Sequence, residues 1–461
     1  MTELVTIQGS RAVTGPKLNF FTSPPTDVGQ LSYRHIPISP FTTGINPVDF
    51  QIDAQSEYLD LSRSYVEMEV ALKLHDGTNI LAASNLWPAN NLAHTFFRQV
   101  NIKFNGTLIS PQTDTYHYKA YLEALLNNDR ADGKTILAPQ LWFNALDPPT
   151  ALTAHNIDSA TPHQHWTDLS ATNKTFINES RAAKVRFVGG NRVKLRFKPS
   201  NEVFHLSKLL LPGVQIQMQF YFNPPTIFLN GVALQGRMTA DDVKMTLYLC
   251  QVTLNPGSYA STERDLTAKK LAKYPTVRGE IRTYTVAADN RQKEIQNPFG
   301  NRIPNRVIVA LVDTAAFSGA YERSCFAFGK YNLSSVRQLV RGEEYPYDQM
   351  EMPHNNGNND LIGYHRFLDA TGCLVRQGGN MVQADEWGHG KNCNLYVFEN
   401  AANGQLDSAV LNPKLVGELK LVLNFGANPG RNLTVIVYGE FENLLEVDGN
   451  KAVMYNVYEQ T

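Results

Sequence analysis

From Phe50 onward, apolar and polar positions alternate along the chain. Tyr58, Val66, Met68, Val70 and Leu72 stand against Glu67, Glu69, Ala71 and Lys73, and Asp76-Gly77 follows. A period of two running into a turn dipeptide predicts a half-buried strand. Val100, Ile102 and Phe104 alternate with Asn101, Lys103 and Asn105 before Gly106, a second strand ending in an Asn-Gly hairpin signal. The period changes over residues 113–127, where Tyr118, Tyr121, Leu122 and Leu125 fall at i, i+3, i+4 and i+7, which predicts a helix capped by Thr113 or Asp114. A long polar stretch, 128–180, separates this helix from strands predicted at 184–188, 192–197, 214–222 and 243–254. Residues 261–273 then read as a charged helix, with Thr262 and Asp265 at its cap, Lys269, Lys270 and Lys273 near its end and Pro275 stopping it.

The second half repeats the first in outline. Val336, Gln338, Val340 and Gly342 match the spacing of Val100, Ile102, Phe104 and Gly106, and residues 364–370 echo the helical stretch 118–124. Residues 417–425 correspond to 213–222, and 433–444 to 243–254, with loop lengths diverging between them, as expected after a duplication. Before residue 48 there is no sustained period, only Pro16, Pro24, Pro25, Pro37, Pro40 and Pro47 among small polar residues. The expected organisation is an extended N-terminal arm at 1–48, a first unit at 49–256, a helical linker at 257–276 and a second unit at 277–461. Each unit is about twice the size of an immunoglobulin-type sandwich and carries many short strands, long loops and one helix. The expected fold is therefore all-β: two tandem eight-stranded jelly-roll sandwiches, with short helices in the loops.

Composition narrows the functions open to such a chain. In 461 residues, 42 Lys and Arg face 43 Asp and Glu, so the net charge of −1 gives no large basic field for coating nucleic acid. Charged residues make up 18% and aromatics 10%, which suits large packed β surfaces and excludes disorder as the main state. Cys250, Cys325, Cys373 and Cys393 lack zinc-ribbon spacing and read as reduced and buried. Residues 1–10 show no basic segment leading into an apolar one, and the longest aliphatic run is 307–312, so neither secretion nor membrane spanning is expected. The sequons at Asn105, Asn173, Asn178, Asn332 and Asn432 then arise by chance.

Candidate chemistry is sparse. His163 and His165, with His155, Trp166 and Asp168, form the best metal-ligand cluster; the plainer reading is a polar loop, since Ser159, Thr161 and Pro162 argue against a strand. Glu440 and Glu442 lie on one face of a strand, about 7 Å apart by strand geometry, a separation open to a glycosidase pair. Such pairs usually come from different strands, and a solvated edge-strand face accounts for both residues equally. Gly378-Gly379 and Gly388-His389-Gly390 lack the strand-to-helix context of a phosphate loop and read as turns. The densest basic cluster, Lys184, Arg186, Arg192, Lys194, Arg196 and Lys198, reads as a solvated outer sheet face, with contact to an acidic partner or packaged nucleic acid as the functional alternative. No nucleophile elbow or local Cys/His signature occurs. No catalytic, cofactor-binding or metal residue is assigned, and no cofactor is expected.

Residues 297–313, Asn-Pro-Phe-Gly-Asn-Arg-Ile-Pro-Asn-Arg-Val-Ile-Val-Ala-Leu-Val-Asp, followed by 317–321 and 326–328, resemble the major capsid protein of Polinton (Maverick) elements and adintoviruses. Residues 58–62, 100–106 and 116–123 are similar to the same family, so the resemblance covers roughly 50–445, while the arm and the 128–180 loop align with nothing in it. The resemblance implies a double jelly-roll, hexon-like subunit without enzymatic activity. Such a subunit trimerises into pseudo-hexameric capsomers and builds an icosahedral shell around double-stranded DNA, with penton and minor capsid proteins as partners. It implies a virion protein, assembled in the host cell nucleus and not inserted in a membrane. Two other classes compete: a β-sandwich glycan-binding protein or hydrolase using Glu440, Glu442 or loop aromatics at Trp142, Trp166 and Trp387, and a minor or penton virion protein. A penton needs only one jelly roll, which the two-part length opposes.

Overall fold

The computed structural model describes residues 20, 23, 26–42, 44–110, 113–146, 148, 171–231, 235–346, 350–352, 361–374, 379–401 and 411–455. Eight principal strands build the first half: β1 (Gln30–Ile38), β2 (Val48–Ile52), β3 (Tyr58–Val70), β4 (Phe97–Phe104), β5 (Thr107–Leu108), β6 (Val193–Phe197), β7 (Ile216–Phe222) and β8 (Val243–Leu254). Eight more build the second: β9 (Ala272–Val286), β10 (Gln292–Gln296), β11 (Arg306–Asp313), β12 (Leu333–Val340), β13 (Glu343–Glu344), β14 (Leu395–Glu399), β15 (Leu419–Phe425) and β16 (Leu433–Val447). The sheets run β1-β8-β3-β6 and β2-β7-β4-β5 in the first half, and β9-β16-β11-β14 and β10-β15-β12-β13 in the second. Each of the eight principal strands of the first half thus has a counterpart eight places on, in the same position of the corresponding sheet. Both halves have the jelly-roll order, and the chain is a tandem double jelly roll.

The duplication is also visible in turn chemistry. Phe104 pairs with Thr107 across Asn105-Gly106, and Val340 with Glu343 across Arg341-Gly342. Both two-residue loops hold both positions at positive φ, 45° and 83° in one, 54° and 88° in the other, the primed turn that matches strand twist. Helix α1 (Tyr116–Asn127) follows the first hairpin and a helix at Leu361–Ala370 follows the second.

Several elements differ from the sequence expectation. Residues 30–38, read as part of a Pro-rich arm, form β1, an edge strand whose side chains are largely exposed and so carry no burial period. Residues 184–188 are not a strand. Lys184 ends α2 (Ala171–Val185) and donates its Nζ to the carbonyls of Ala82 (2.7 Å) and Ser84 (2.9 Å), while Gly189 and Gly190, both at positive φ, turn the chain into β6. A five-residue alternation does not separate a strand from a helix end. The linker helix is α3 (Pro256–Thr267), capped by Asn255 with Pro256 at its first position, and not a helix over 261–273. Lys273 and Pro275 belong to β9, an edge strand where the missing N–H of proline is tolerated. At α1 the cap position is Thr115, whose side chain makes no capping bond, instead of Thr113 or Asp114. The helix at Leu361–Ala370 is α4.

Two hydrophobic cores fill the sandwiches, and each borrows from the other half. Leu445 and Val447 of β16 pack into the first core; Tyr118, Tyr121 and Leu125 of α1 pack into the second. Burial separates the halves further. Strands β11 and β16 are buried on both faces, whereas β3 and the first part of β8 alternate between buried and half-exposed. The front sheet of the second half is therefore covered on its outer side, and that of the first half is open.

Gly439 lies where β16 meets Phe299: a Cβ there would sit 2.7 Å from the ring, whereas at Gly106 (φ +83°) it would meet nothing within 4 Å. Gly439→Ala is expected to lower stability by about 1–3 kcal/mol through overpacking. Gly106→Ala loses about 1 kcal/mol from backbone strain alone. Urea midpoints of the two variants check this ranking.

Candidate functional site

His155, His163, His165, Trp166 and Asp168 lie outside the described residues, as does Gly378. Among the described residues no group of three His, Cys, Asp or Glu is placed to hold a metal ion, and no helix is long and apolar enough to cross a membrane. Gly388 and Gly390 have φ of 107° and 73°, as turn glycines do. Cys250, Cys325 and Cys393 are buried free thiols; Cys373 is half-buried. The basic residues on and just before β6 face acidic neighbours on β3: Arg196 pairs with Glu67 at 2.8 Å, and Arg192 reaches Glu69 at 4.0 Å. That is the solvated outer face, with Lys184 removed from it into the α2 contact and Arg186 in the turn that follows α2. Trp142 and Trp387 are core residues, and Trp387 donates its indole N–H to the Leu395 carbonyl at 3.2 Å.

Glu440 and Glu442 are not on a solvated edge. β16 is a central strand between β9 and β11, and both side chains are buried. Each is engaged: Arg306 donates to Glu440 at 3.2 Å and to Glu399 at 3.0 Å, while Glu442 accepts from the Asn412 backbone (2.6 Å) and side-chain amide (2.8 Å). Burial raises the Glu440 carboxyl above its ordinary value, and Arg306 opposes the shift.

Glu440 lies beside the junction between the halves, where it lines the same cleft as Glu123. Helix α1 is the axis of that junction. The Tyr121 ring stacks on Phe326 at 3.9 Å and 9°, and Tyr118 on Phe317 at 5.4 Å and 10°, so the apolar stripe read from the sequence docks on the 314–332 loop of the second half. The polar side of α1 closes the rest. Glu123 accepts from the Tyr438 hydroxyl at 3.0 Å and from Ser200 Oγ, and pairs with Lys119 at 3.3 Å; Lys119 donates to the Ser200 carbonyl at 2.9 Å. His94 bridges Tyr116 (3.0 Å) and Gln140 (3.1 Å), and the Tyr116 hydroxyl accepts from the Ser200 N–H at 3.0 Å. A cleft of about 920 Å³ opens beside this network, lined by Glu123, Lys198, Glu202, Tyr438 and Glu440 among others. Farther out, Arg130 pairs with Glu386 and donates to the Met381 carbonyl at 2.8 Å, pinning one long loop of each half to the other.

The sequence reading missed Lys119, Glu123, Arg306 and Tyr438. The available signal was charge inside apolar runs: Lys119 and Glu123 an i,i+4 pair within an otherwise apolar helix, and Arg306 abutting an aliphatic run.

Chemically, the junction is a set of charges and hydroxyls, most of them paired with one another, while the Tyr118 hydroxyl and His117 Nε2 on α1 are buried without a hydrogen-bond partner among the described residues. Such a set makes the relative position of the halves specific, since a shift leaves charges unpaired. Arg306→Met is expected to lower stability at pH 7 by about 3–5 kcal/mol by leaving Glu440 and Glu399 unpaired. With both carboxyls titrating higher, the native state holds protons that the unfolded chain has released above about pH 4.3. The loss at pH 4 should therefore be smaller than at pH 7, as paired urea titrations will read. Burial also lowers His94 to about 4 and His117 to about 3. Folded-state pKa values below the unfolded value of about 6.5 give stability that is present above pH 6.5 and lost as pH falls towards 4. His94→Gln should flatten that loss between pH 6.5 and 4, measured as melting midpoint against pH.

Comparison with known proteins agrees with this architecture. No protein-family model matches the chain. An uncharacterized protein of Caenorhabditis elegans is 20% identical over 413 residues, 87% of this chain and 91% of that protein. Among solved structures, the Sputnik virophage structure matches with a TM-score of 0.58 at 11% identity, over 97% of this chain and 93% of that one. The mavirus major capsid protein matches at 0.56 and 11%, over 99% and 96%, and the PBCV-1 virus capsid at 0.54 and 10%, over 95% and 99%. Over nearly its whole length the chain has the fold of these double jelly-roll capsid proteins.

Proposed function

We propose that this chain is a major capsid protein, which trimerises into pseudo-hexameric capsomers that tile an icosahedral shell around double-stranded DNA. The observation that carries the proposal is the identity of strand order in the two halves, fixed against each other by a buried junction. Three copies of such a chain offer six similar units around one axis, so a threefold object can occupy a sixfold position. The likeness to capsid proteins of viruses and virophages, spanning nearly all of each chain, supports the same reading. So does a net charge of −1, which keeps densely packed copies from repelling one another. The sequence resemblance adds the finer proposal of a Polinton or adintovirus lineage, with penton and minor capsid proteins as partners and assembly in the nucleus. The role is structural and needs no cofactor. The glycan-binding alternative loses its support at Trp142 and Trp387, which are packed inside, and a penton would use one jelly roll where this chain has two.

Light scattering on the purified chain, followed by negative-stain imaging, tests the proposal. The expected species has three times the 51.5 kDa chain mass and a hexagonal outline. A chain that stays monomeric across salt and pH at high concentration overturns it.

A further inference from the structure

Within the chain, the first half docks on the second through one stripe of α1. Thr115, Tyr116 and Lys119 close over Gly279 and Ile281 of β9, and Glu123 accepts from Tyr438 of β16. The second half carries the counterpart stripe on α4. Setting Tyr118–Ala124 against Tyr364–Ala370 places Leu361, Ile362, His365 and Asp369 where Thr115, Tyr116, Lys119 and Glu123 stand. All four are exposed, Leu361 at 67% and Ile362 at 70%. Two large aliphatic side chains opening a helix, with an imidazole and a carboxylate on the following turns, form an exposed stripe.

The surface that would receive it also has a counterpart. In the second half, Ile281, Tyr438 and Ile308 lie abreast on β9, β16 and β11, and Gly279 lies beside Glu440. Aligning the last strands on Val243 and Leu433 places Pro37, Tyr248 and Tyr65 abreast at the same level of β1, β8 and β3, and His35 beside Cys250. The covered seam of the second half therefore corresponds to an open face of the first. That face is aromatic: Tyr65 stacks on Tyr248 at 5.0 Å, His35 lies 5.5 Å from Tyr65, and Tyr33, 54% exposed, carries the Arg63 guanidinium 3.7 Å above its ring. Tyrosines held in place by neighbours present apolar area with polar tips, the composition of a protein interface.

We infer that α4 of one copy docks on the outer face of β1, β8 and β3 of a second copy of this chain, repeating between molecules the contact that α1 makes within one. Asp369 then meets the Tyr248 hydroxyl as Glu123 meets Tyr438, and Leu361 and Ile362 cover His35 and Pro37. The contact is head-to-tail, so each copy gives one α4 stripe and receives one, and three copies close the ring. The inference rests on the assembly proposed above and names its surfaces.

Two double variants of the full chain test it: Leu361→Glu with Ile362→Glu on the helix, and Tyr33→Glu with His35→Glu on the sheet. Each alone is expected to be monomeric where the unmodified chain is trimeric, with at least a 100-fold rise in the dissociation concentration, and with an unchanged far-ultraviolet circular dichroism spectrum because all four positions are exposed. An equimolar mixture retains one intact stripe and one intact face, so it should give a species of twice 51.5 kDa in light scattering and none larger. If both variants remain trimeric, these surfaces are wrong while the capsid reading stands. A mixture that stays monomeric overturns the head-to-tail pairing. An unmodified chain that is itself monomeric overturns the assembly reading, and this inference with it, before any variant is made.

Discussion

The central strands β11 and β16 of the second half's front sheet are largely aliphatic and buried on both faces, and the rest of the molecule is arranged around that fact. A sheet of this kind cannot face water on either side; one face takes the second core, and the other takes α1 and the loops of the first half. Covering it brings backbone and side-chain polar groups out of solvent together with the aliphatic ones, and each then needs a partner. Arg306, Glu440, Glu399 and Glu442 meet that requirement from within the second half. Glu123 and Lys119 meet it from the first. Aromatic stacking supplies the adhesion, and the charge pairs supply the register.

Two halves with one topology would be free to slide or reverse if apolar area alone joined them. Stacked rings at Tyr118 and Tyr121 tolerate small displacements, but a carboxylate such as Glu123, held between Tyr438, Ser200 and Lys119, does not. In the assembly proposed above, specific placement would matter more than in an ordinary two-domain protein, because any error in the angle between the halves is repeated in every copy.

Much of this was legible in the sequence, and the limits follow from physics. Strands with one open face keep a period of two, so β3, β4 and β7 read directly, as did the two positive-φ hairpins with Gly106 and Gly342. The apolar stripe of α1 also read correctly, though not what it packs against. Where burial is set by tertiary contact, the local pattern failed. Exposure along most of β1 erases its period, and Lys184 was assigned to a strand face because its buried helix contact with Ala82 and Ser84 comes from 100 residues away. Glu440 and Glu442 read as solvated because two glutamates on a strand usually are; Arg306, 134 residues from Glu440, and Asn412, 30 residues from Glu442, partner them inside. The His163 cluster falls outside the described residues, and its reading rests on the sequence alone.

The difference between the halves is more informative than their likeness. If the two front sheets served the same purpose, duplication would leave both alternating or both apolar. Instead β11 is aliphatic from Val307 to Val312 between Arg306 and Asp313 at its ends, while β3 carries glutamates and Tyr65 on its outer side. A permanently covered face can lose all polar character once its few charges are paired. A face that must be soluble before it is covered cannot, and tyrosine, histidine and arginine are the residues that pack well and still tolerate water. The chemistry of Tyr33, His35, Arg63, Tyr65 and Tyr248 thus suits the docking inferred above, at the place where the other half of the same chain is covered.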